Sequence, residues 1–139
     1  MNIDYRTDAA ISVADFRDLL QRSTLAERRP IHDRECLAGM LTNSNLIVSA
    51  WQADTLVGIA RSLTDFHYAC YLSDLAVDAA WQGRGIGREL QRRTLAQLGP
   101  ECSLILVAAP AANGYYAHLG YENHPRCWVL APGRPLGSA

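Results

Sequence analysis

One stretch decides the fold: it runs from Asp74 to Arg88 and reads DLAVDAAWQGRGIGR. A short apolar segment, Leu75 to Val77, leads into a loop with glycines at Gly83, Gly85 and Gly87, and a segment with helical periodicity follows. Glycines at this spacing allow positive φ and leave room for a ligand beside the main chain. The first N–H groups of the helix, at the positive end of its dipole, then converge on one point. The stretch therefore predicts a phosphate-binding turn between a strand and a helix.

Two better-known phosphate-binding signatures fit this loop poorly. A dinucleotide-binding turn requires Gly-x-Gly-x-x-Gly and an acidic residue at the end of the next strand. Here the third glycine comes one residue too soon, and the next predicted strand ends in Val107-Ala108-Ala109. The P-loop requires Gly-Lys-Ser/Thr, which does not follow. The remaining alternative is a flexible turn that binds no ligand.

Hydrophobic periodicity and turn residues predict an α+β (mixed α/β) fold around this loop. We expect a single twisted, mostly antiparallel sheet, formed by a β-meander and then a β-α-β-α-β half, with helices on both faces. The first half of the chain should contain a strand at Ile3 and Tyr5, a helix capped by Ser12, an exposed loop over Thr24–Asp33 and a helix capped by Asp33. The meander should then consist of strands at Leu46–Trp51, Thr55–Ser62 and Tyr68–Val77.

The elements predicted after the meander are a helix over Gly85–Leu98, a central strand covered on both faces at Ser103–Ala108, a short helix opened by Asn113 and ended by Gly120, and a last strand over Tyr121–Leu130.

Length and composition limit the possible classes of protein. The 139 residues fit one domain, predicted at 1–131, with a frayed Pro/Gly-rich tail at 132–139. A net charge of −1 gives no basic excess for binding nucleic acid. The four cysteines lack metal-ligand spacing, so we expect no metal. We see no leader sequence and no apolar stretch long enough to cross a bilayer, which predicts a cytoplasmic protein without a membrane partner.

The spacing Gln82-x-x-Gly85-x-Gly87 resembles the signature of the GNAT superfamily of acyl-CoA-dependent N-acyltransferases. The resemblance implies the same order of strands and helices, with acetyl-CoA as the acyl donor. It also implies that the loop binds the coenzyme A pyrophosphate, and that the preceding strand bonds the pantetheine amides. The implied cofactor-binding residues are Leu75, Ala76, Val77, Gln82, Gly83, Arg84, Gly85, Ile86, Gly87, Arg88 and Asn113. Arg84 and Arg88 flank the loop, with Arg92 and Arg93 close by in sequence.

A second segment, Asn113-Gly-Tyr-Tyr-Ala-His-Leu-Gly-Tyr121, is similar to another pattern of the same family. Carried over, Tyr116 is the catalytic tyrosine, a general acid for the leaving thiolate, and Tyr115 is a core aromatic residue. Gly120 and Tyr121 form the turn into the next strand, and Asn113 contacts the pantetheine arm. The alternatives are that Asn113 is only a helix cap, and that the two tyrosines are one buried and one half-exposed ring.

The resemblance implies direct transfer of an acetyl group from acetyl-CoA to a primary amine of a small molecule or peptide. A backbone N–H near Ala76 or Val77 would stabilise the oxyanion. The base is left open between Asp74, a water chain through Tyr71 or Ser73, and a histidine, His67 or His32. If the strand alternates without interruption, Asp74 faces the same side as Leu72 and Ala76, and Tyr71 and Ser73 face the other side with Leu75 and Val77.

Two other functions remain open from the sequence. The first is a non-catalytic acyl-CoA-binding sensor or interaction domain, and the second is a nucleotide-binding regulatory module. A homodimer formed through an exposed last strand is also possible.

Overall fold

The structure, a computed structural model, describes residues 2–138. Its strands are β1 (Asp4–Thr7), β2 (Leu46–Gln52), β3 (Thr55–Thr64), β4 (Ala69–Val77) and β5 (Ser103–Ile105), and its α-helices are α1 (Val13–Arg22), α2 (Arg34–Thr42), α3 (Ile86–Ala96) and α4 (Asn113–His118). Met1 and Ala139, which belong to the predicted domain and tail, lie outside the described residues.

The five strands form one sheet in the order β1-β2-β3-β4-β5. Neighbouring strands are antiparallel from β1 to β4, whereas β5 runs parallel to β4. The turn between β2 and β3 is as tight as expected, since Gln52 pairs with Thr55 across Ala53 and Asp54. The predicted mixed α/β fold with a mostly antiparallel sheet is confirmed.

Helices cover both faces of the sheet, as predicted. On one face, α1 buries Phe16, Leu19 and Leu20 in a cluster that also contains Leu37 of α2. On the other face, α3 buries Ile86 and Leu90 against residues of β2, β3 and β4. Because apolar residues three and four positions apart lie on one side of a helix, each helix presents a single apolar stripe to the sheet.

The predicted starts of the first two helices are also confirmed. The Ser12 side chain accepts a hydrogen bond from the Asp15 N–H at 3.0 Å, and the Asp33 side chain accepts one from the Cys36 N–H at 3.0 Å. These bonds satisfy N–H groups that have no partner within the helix. The loop between the two helices contains a short 3₁₀ turn, Leu25–Arg28.

Two strand predictions are wrong. Ser103–Ala108 is not a central strand, because β5 is three residues long and lies at the edge of the sheet. Its side chains alternate: Leu104 packs on the α3 side, whereas Ile105 is 44% exposed. Tyr121–Leu130 forms no strand in the described chain, and Pro125, which has no N–H for a ladder, interrupts it. The predicted homodimer was to form through this last strand, so the structure gives no support to that mode of pairing.

The described residues form two compact units, 2–106 and 107–138. The sheet and helices α1 to α3 belong to the first unit, and α4 belongs to the second. A single domain at 1–131 stays a prediction, as does a frayed tail; residues 134–138 are exposed and contain neither helix nor strand. Between residues 2 and 138, no helix has the length and apolar character needed to cross a membrane.

Candidate functional site

The centre of the site is a β-bulge in β4 at Ser73. Leu72 pairs with Ser62 of β3, and Asp74 pairs with the adjacent Arg61, so Ser73 is one extra residue on β4. A bulge of this kind bends the strand and shifts the alternation of its side chains by one position. The strand therefore changes direction in the segment that the sequence identified as reactive.

The bulge corrects the predicted assignment of side chains to faces. Leu72 lies with Leu75 and Val77 on the α3 side, whereas Ala76 belongs to the cluster under α1 and α2. Asp74 therefore does not share a face with Leu72. The prediction failed because it assumed uninterrupted alternation, and the extra residue at Ser73 reverses the order of faces after Leu72.

Beyond the bulge, β4 has an open edge. Pairing with β5 is limited to Ala69–Tyr71 on β4 and Ser103–Ile105 on β5. From Ser73 to Val77 the outer side of β4 has no strand neighbour within residues 2–138. An open strand edge presents backbone N–H and C=O groups to which an extended ligand can add like another strand. The predicted pantetheine contacts, Leu75, Ala76 and Val77, lie on this edge.

Several hydrogen bonds hold the corner that follows β4. The Asp78 N–H donates to the Val57 carbonyl at 2.9 Å, and the Asp78 carboxylate accepts from the Ala80 N–H and forms an ion pair with Arg22. The Gln82 side-chain amide donates back to the Val77 carbonyl at 3.1 Å. Gln82 thus fixes the path of the glycine loop relative to the end of β4.

Two of the three glycines in the predicted loop have the left-handed conformation that the loop requires, whereas Gly87 lies in the first turn of α3. Gly83 has φ of 77° and Gly85 has φ of 82°, values in the left-handed region that side chains disfavour. Gly85 is the N-cap of α3 and offers no side chain to cap it, so the first N–H groups of the helix receive no cap from this residue. A Cβ at either glycine would meet no protein atom within 4 Å. The space next to the helix N-terminus is open to a ligand.

The arginines around the loop are not equivalent. The Arg84 guanidinium stacks on the Trp81 ring, 4.8 Å from its centroid. Arg92 and Arg93 pair with Glu89 at 2.6 Å and 2.7 Å, and hydrogen bonds first from Arg92 and then from Arg93 lower the Glu89 pKa to about 2. Arg88 is exposed and forms no ion pair with the described residues. Of the four, Arg88 has the charge most available to phosphate.

Asp74 lies in a buried ion cluster. Its carboxylate is fully buried and accepts from Arg61 Nε at 2.5 Å and from Arg29 Nε at 2.5 Å. One further nitrogen of each guanidinium bonds to Ser73: Arg61 Nη2 donates to its Oγ at 2.9 Å, and Arg29 Nη2 donates to its carbonyl at 2.8 Å. Because both carboxylate oxygens are occupied and inaccessible, Asp74 is poorly placed to accept a proton from an amine. The arrangement instead holds the bulge.

The second motif lies in the second unit and is described there by itself. Tyr116 is half-buried, and its ring makes edge contacts with Tyr115 at 5.1 Å and Tyr121 at 5.3 Å between centroids. Burial, with a smaller contribution from Tyr115, raises the pKa of the Tyr116 phenol above its usual value. Gly120, with φ of 94°, ends α4 as predicted.

Two expectations for this motif are wrong. Tyr115 is 39% exposed and is not a core residue, because the neighbouring ring, Tyr116, takes the more buried position. Asn113 does not cap the helix: it is the first residue of α4, Ala112 is the N-cap, and no side chain caps this end. The exposed Asn113 side chain is therefore not engaged in capping.

The other candidate bases are on the surface. His32 and His67 are exposed, Tyr71 is 41% exposed, and Ser73 is partly exposed. Within residues 2–138 there is no group of three or more His, Cys, Asp or Glu side chains that could hold a metal ion.

The family model described as the acetyltransferase (GNAT) domain matches residues 13–127, which include most of the sheet, the glycine loop and the tyrosine motif. The chain belongs to the GNAT acetyltransferase family. This GNAT domain is 32% identical over 123 residues to an uncharacterized N-acetyltransferase, ycf52-like, of Prochlorococcus marinus. The match covers 84% of the chain and 66% of that relative, so the chain spans slightly less than two thirds of the relative's length.

Solved structures share the fold of this GNAT domain. A probable acetyltransferase of Staphylococcus aureus superposes with a TM-score of 0.76 at 18% identity, covering 94% of this chain and 98% of the other. A predicted acetyltransferase of Clostridium acetobutylicum, solved with acetyl-CoA, superposes with a TM-score of 0.70 at 15% identity, covering 94% and 96% of the two chains. At these identities the likeness establishes the fold alone.

Within the first unit of the GNAT domain, the structure brings together the predicted β4 edge and the glycine loop. Sequence reasoning missed Arg61 and the role of Arg29. A signal for Arg61 was present, because it is a single charge in the apolar segment VGIARSL, and Asp74 is a single opposite charge in the next predicted strand. Isolated opposite charges in neighbouring buried strands favour an ion pair, since a buried charge requires a partner.

Proposed function

We propose that this GNAT domain transfers an acetyl group from acetyl-CoA directly to a primary amine of a small molecule or peptide. The observation that carries the proposal is the continuous path formed by the open β4 edge and the glycine loop. An extended chain with amide groups fits the edge, and a diphosphate fits the uncapped start of α3, where glycines with φ of 77° and 82° leave the main chain accessible.

The cofactor would extend along this path. Leu75, Ala76 and Val77 would exchange main-chain hydrogen bonds with the pantetheine amides. The N–H groups of the loop and the first helical turn would bind the diphosphate, with Arg88 adding charge. The residues assigned to the cofactor are Leu75, Ala76, Val77, Gln82, Gly83, Arg84, Gly85, Ile86, Gly87, Arg88 and Asn113. Gln82 acts by holding the loop, since its side chain bonds to the Val77 carbonyl.

In the proposed reaction, the amine lone pair attacks the thioester carbon and the C–S bond breaks. An alkyl ammonium has a pKa of about 10.4, so the amine must lose a proton before it attacks. A backbone N–H near Ala76 or Val77 would receive the oxyanion. Tyr116 would then donate its phenolic proton to the coenzyme A thiolate; burial raises the pKa of this phenol and so keeps it protonated at neutral pH.

We assign removal of the amine proton to water held by Tyr71 and Ser73. Asp74 is a poor candidate because Arg29 and Arg61 occupy its oxygens. Tyr71 and Ser73 are accessible to solvent. They precede and follow Leu72 in the sequence, next to the point where the pairing of β4 with β5 ends.

The test of the proposed function is release of free coenzyme A thiol from acetyl-CoA in the presence of a panel of primary amines. Amine-dependent thiol release with a matching N-acetyl product is expected. Calorimetry with acetyl-CoA is run in parallel. Binding without turnover on any amine would identify the domain as an acyl-CoA sensor, and binding of adenine dinucleotides in preference to acetyl-CoA would identify it as a nucleotide-binding module.

A further inference from the structure

The ion cluster at the bulge contains more positive than negative charge. Arg29 and Arg61 share a single carboxylate, Asp74, and within residues 2–138 no other carboxylate lies within 4.0 Å of either guanidinium. Two cations and one anion leave a net charge of +1. An uncompensated charge removed from water is costly unless a partner of opposite charge is present. The cluster is therefore one anion short.

Arg29 is the member of the cluster that a ligand can reach. The Arg29 side chain is 20% exposed, whereas that of Arg61 is 5% exposed. Three of its five N–H groups are used, in bonds to Asp74, the Arg28 carbonyl and the Ser73 carbonyl. Arg61 instead makes further bonds to the Met40 carbonyl and the Ser44 hydroxyl. Arg29 retains N–H donors with which to bind an anion.

Arg29 lies close in the structure to the part of β4 that is proposed to bind the cofactor. Its guanidinium is bonded to Ser73, the bulge residue, two positions before the first proposed pantetheine contact, Leu75. Arg29 itself belongs to the loop between α1 and α2, on the sheet face opposite α3. An anion bound there would lie beside the open edge of β4, where the proposed function requires the acceptor to approach the thioester.

We propose that the acceptor is an amine that also carries a carboxylate, and that Arg29 binds this carboxylate. The inference rests on the proposed function and names its substrate class. A planar guanidinium matches the geometry of a carboxylate, and a charge-assisted pair in a partly buried site is stronger than a neutral hydrogen bond. The acceptor carboxylate supplies the missing negative charge, and its attachment to Arg29 holds the amine at the bulge. Arg29 is thus a specificity-determining residue.

The test compares ω-amino acids from glycine to 6-aminohexanoate with their N-methyl amides, using release of coenzyme A thiol. The series varies the distance between amine and carboxylate. At the best chain length we expect kcat/KM for the carboxylate to exceed that for the amide about tenfold or more, as for a charge-assisted bond. Equal values at every length would overturn the inference, and so would a preference for aminoalkylphosphonates over the matching carboxylates.

Variants of Arg29 test the residue itself. In Arg29→Gln the ratio of carboxylate to amide kcat/KM should fall toward one, and Asp74 keeps Arg61 as its partner. The matched control is Arg28→Gln, which retains the carbonyl that bonds Arg29 and should keep the wild-type ratio. If Arg29→Gln does not fold, Arg29→Lys preserves the charge without the planar group, and an intermediate ratio is expected. A wild-type ratio in a folded Arg29 variant would overturn the assignment.

The two proposals fail in different ways. Absence of thiol release with every amine and every amide, despite binding of acetyl-CoA, contradicts the proposed function. Turnover of amides at the same rate as carboxylates leaves the proposed function intact and contradicts only the role of Arg29.

Discussion

Asp74 and Arg61 lie directly opposite each other on β4 and β3, and their side chains form a buried ion pair with Nε and Oδ2 2.5 Å apart. This pair stands beside the extra residue Ser73, whose hydroxyl accepts a second bond from Arg61. The ion pair therefore stabilises the bulge, and the bulge marks the point where β4 turns away from β5. The open edge on which the proposed function depends begins next to this bulge.

Asp74→Asn should destabilise the protein strongly, because it leaves Arg29 and Arg61 without an anionic partner. Breaking a buried ion pair from one side typically costs about 3 to 5 kcal/mol. Urea denaturation measures the free energy of unfolding. The control is Asp54→Asn in the exposed turn between β2 and β3, for which a change within about 0.5 kcal/mol is expected. A stability of Asp74→Asn equal to that of the control would show that the pair contributes little.

Gly85→Asn should abolish or strongly weaken binding of acetyl-CoA while the protein stays folded. Asn tolerates the left-handed region better than other side chains, and a Cβ added at Gly85 would meet no protein atom within 4 Å, so little strain is expected. The new side chain would instead occupy the space proposed for the diphosphate. Calorimetry gives the dissociation constant, and the thermal midpoint checks the fold.

The matched control for this variant is Gly39→Ala in α2, where an added Cβ also meets nothing within 4 Å. It should bind acetyl-CoA as the wild type does. Unchanged binding by folded Gly85→Asn would count against the glycine loop as the diphosphate site.

Arg88→Gln should weaken binding of acetyl-CoA more than Arg92→Gln does. Arg88 has no ion pair among residues 2–138, whereas Arg92 is bonded to Glu89. Loss of about 1 kcal/mol from one exposed charge near a helix N-terminus corresponds to about a fivefold rise in the dissociation constant. The difference should shrink at high salt because exposed charges are screened. Equal effects of the two substitutions would remove the special role of Arg88.

Tyr116→Phe should lower kcat about 100-fold, the usual contribution of a general acid, with the affinity for acetyl-CoA nearly unchanged. Stopped-time assays of thiol release and calorimetry measure the two quantities. The control is Tyr115→Phe, which alters the more exposed neighbour and should retain most of the activity. Wild-type kcat in Tyr116→Phe would exclude the phenol from the reaction.

The dependence of activity on pH provides a second test of Tyr116 as the general acid. Burial raises the pKa of its phenol, so the acid is protonated at neutral pH and is lost only as the pH rises above the ordinary phenol value of about 10. We expect activity to rise as the acceptor amine loses its proton and then to fall on this alkaline limb. The limb should be missing from Tyr116→Phe, provided that both proteins stay folded across the range.

The sequence by itself determined the features that depend on neighbouring residues. The Ser12 and Asp33 caps involve N–H groups three residues away, and the stripe of α3 follows from helical spacing. The left-handed turns at Gly83 and Gly85 need only local backbone freedom. Each of these features depends on residues that are close together in the sequence, and each was predicted.

Only the tertiary structure decided the position of the bulge, the edge location of β5 and the partners of Asp74. Arg29 and Asp74 are 45 residues apart in sequence, and their contact requires a loop to close over a strand. Strand register depends on which side chains fit between two layers of helices, so one extra residue at Ser73 cannot be read from β4 alone. Local hydrogen bonds and hydrophobic periodicity therefore determine where helices and turns form. The arrangement of side chains at the bulge depends instead on the pairing of Asp74 with arginines that are distant in the sequence.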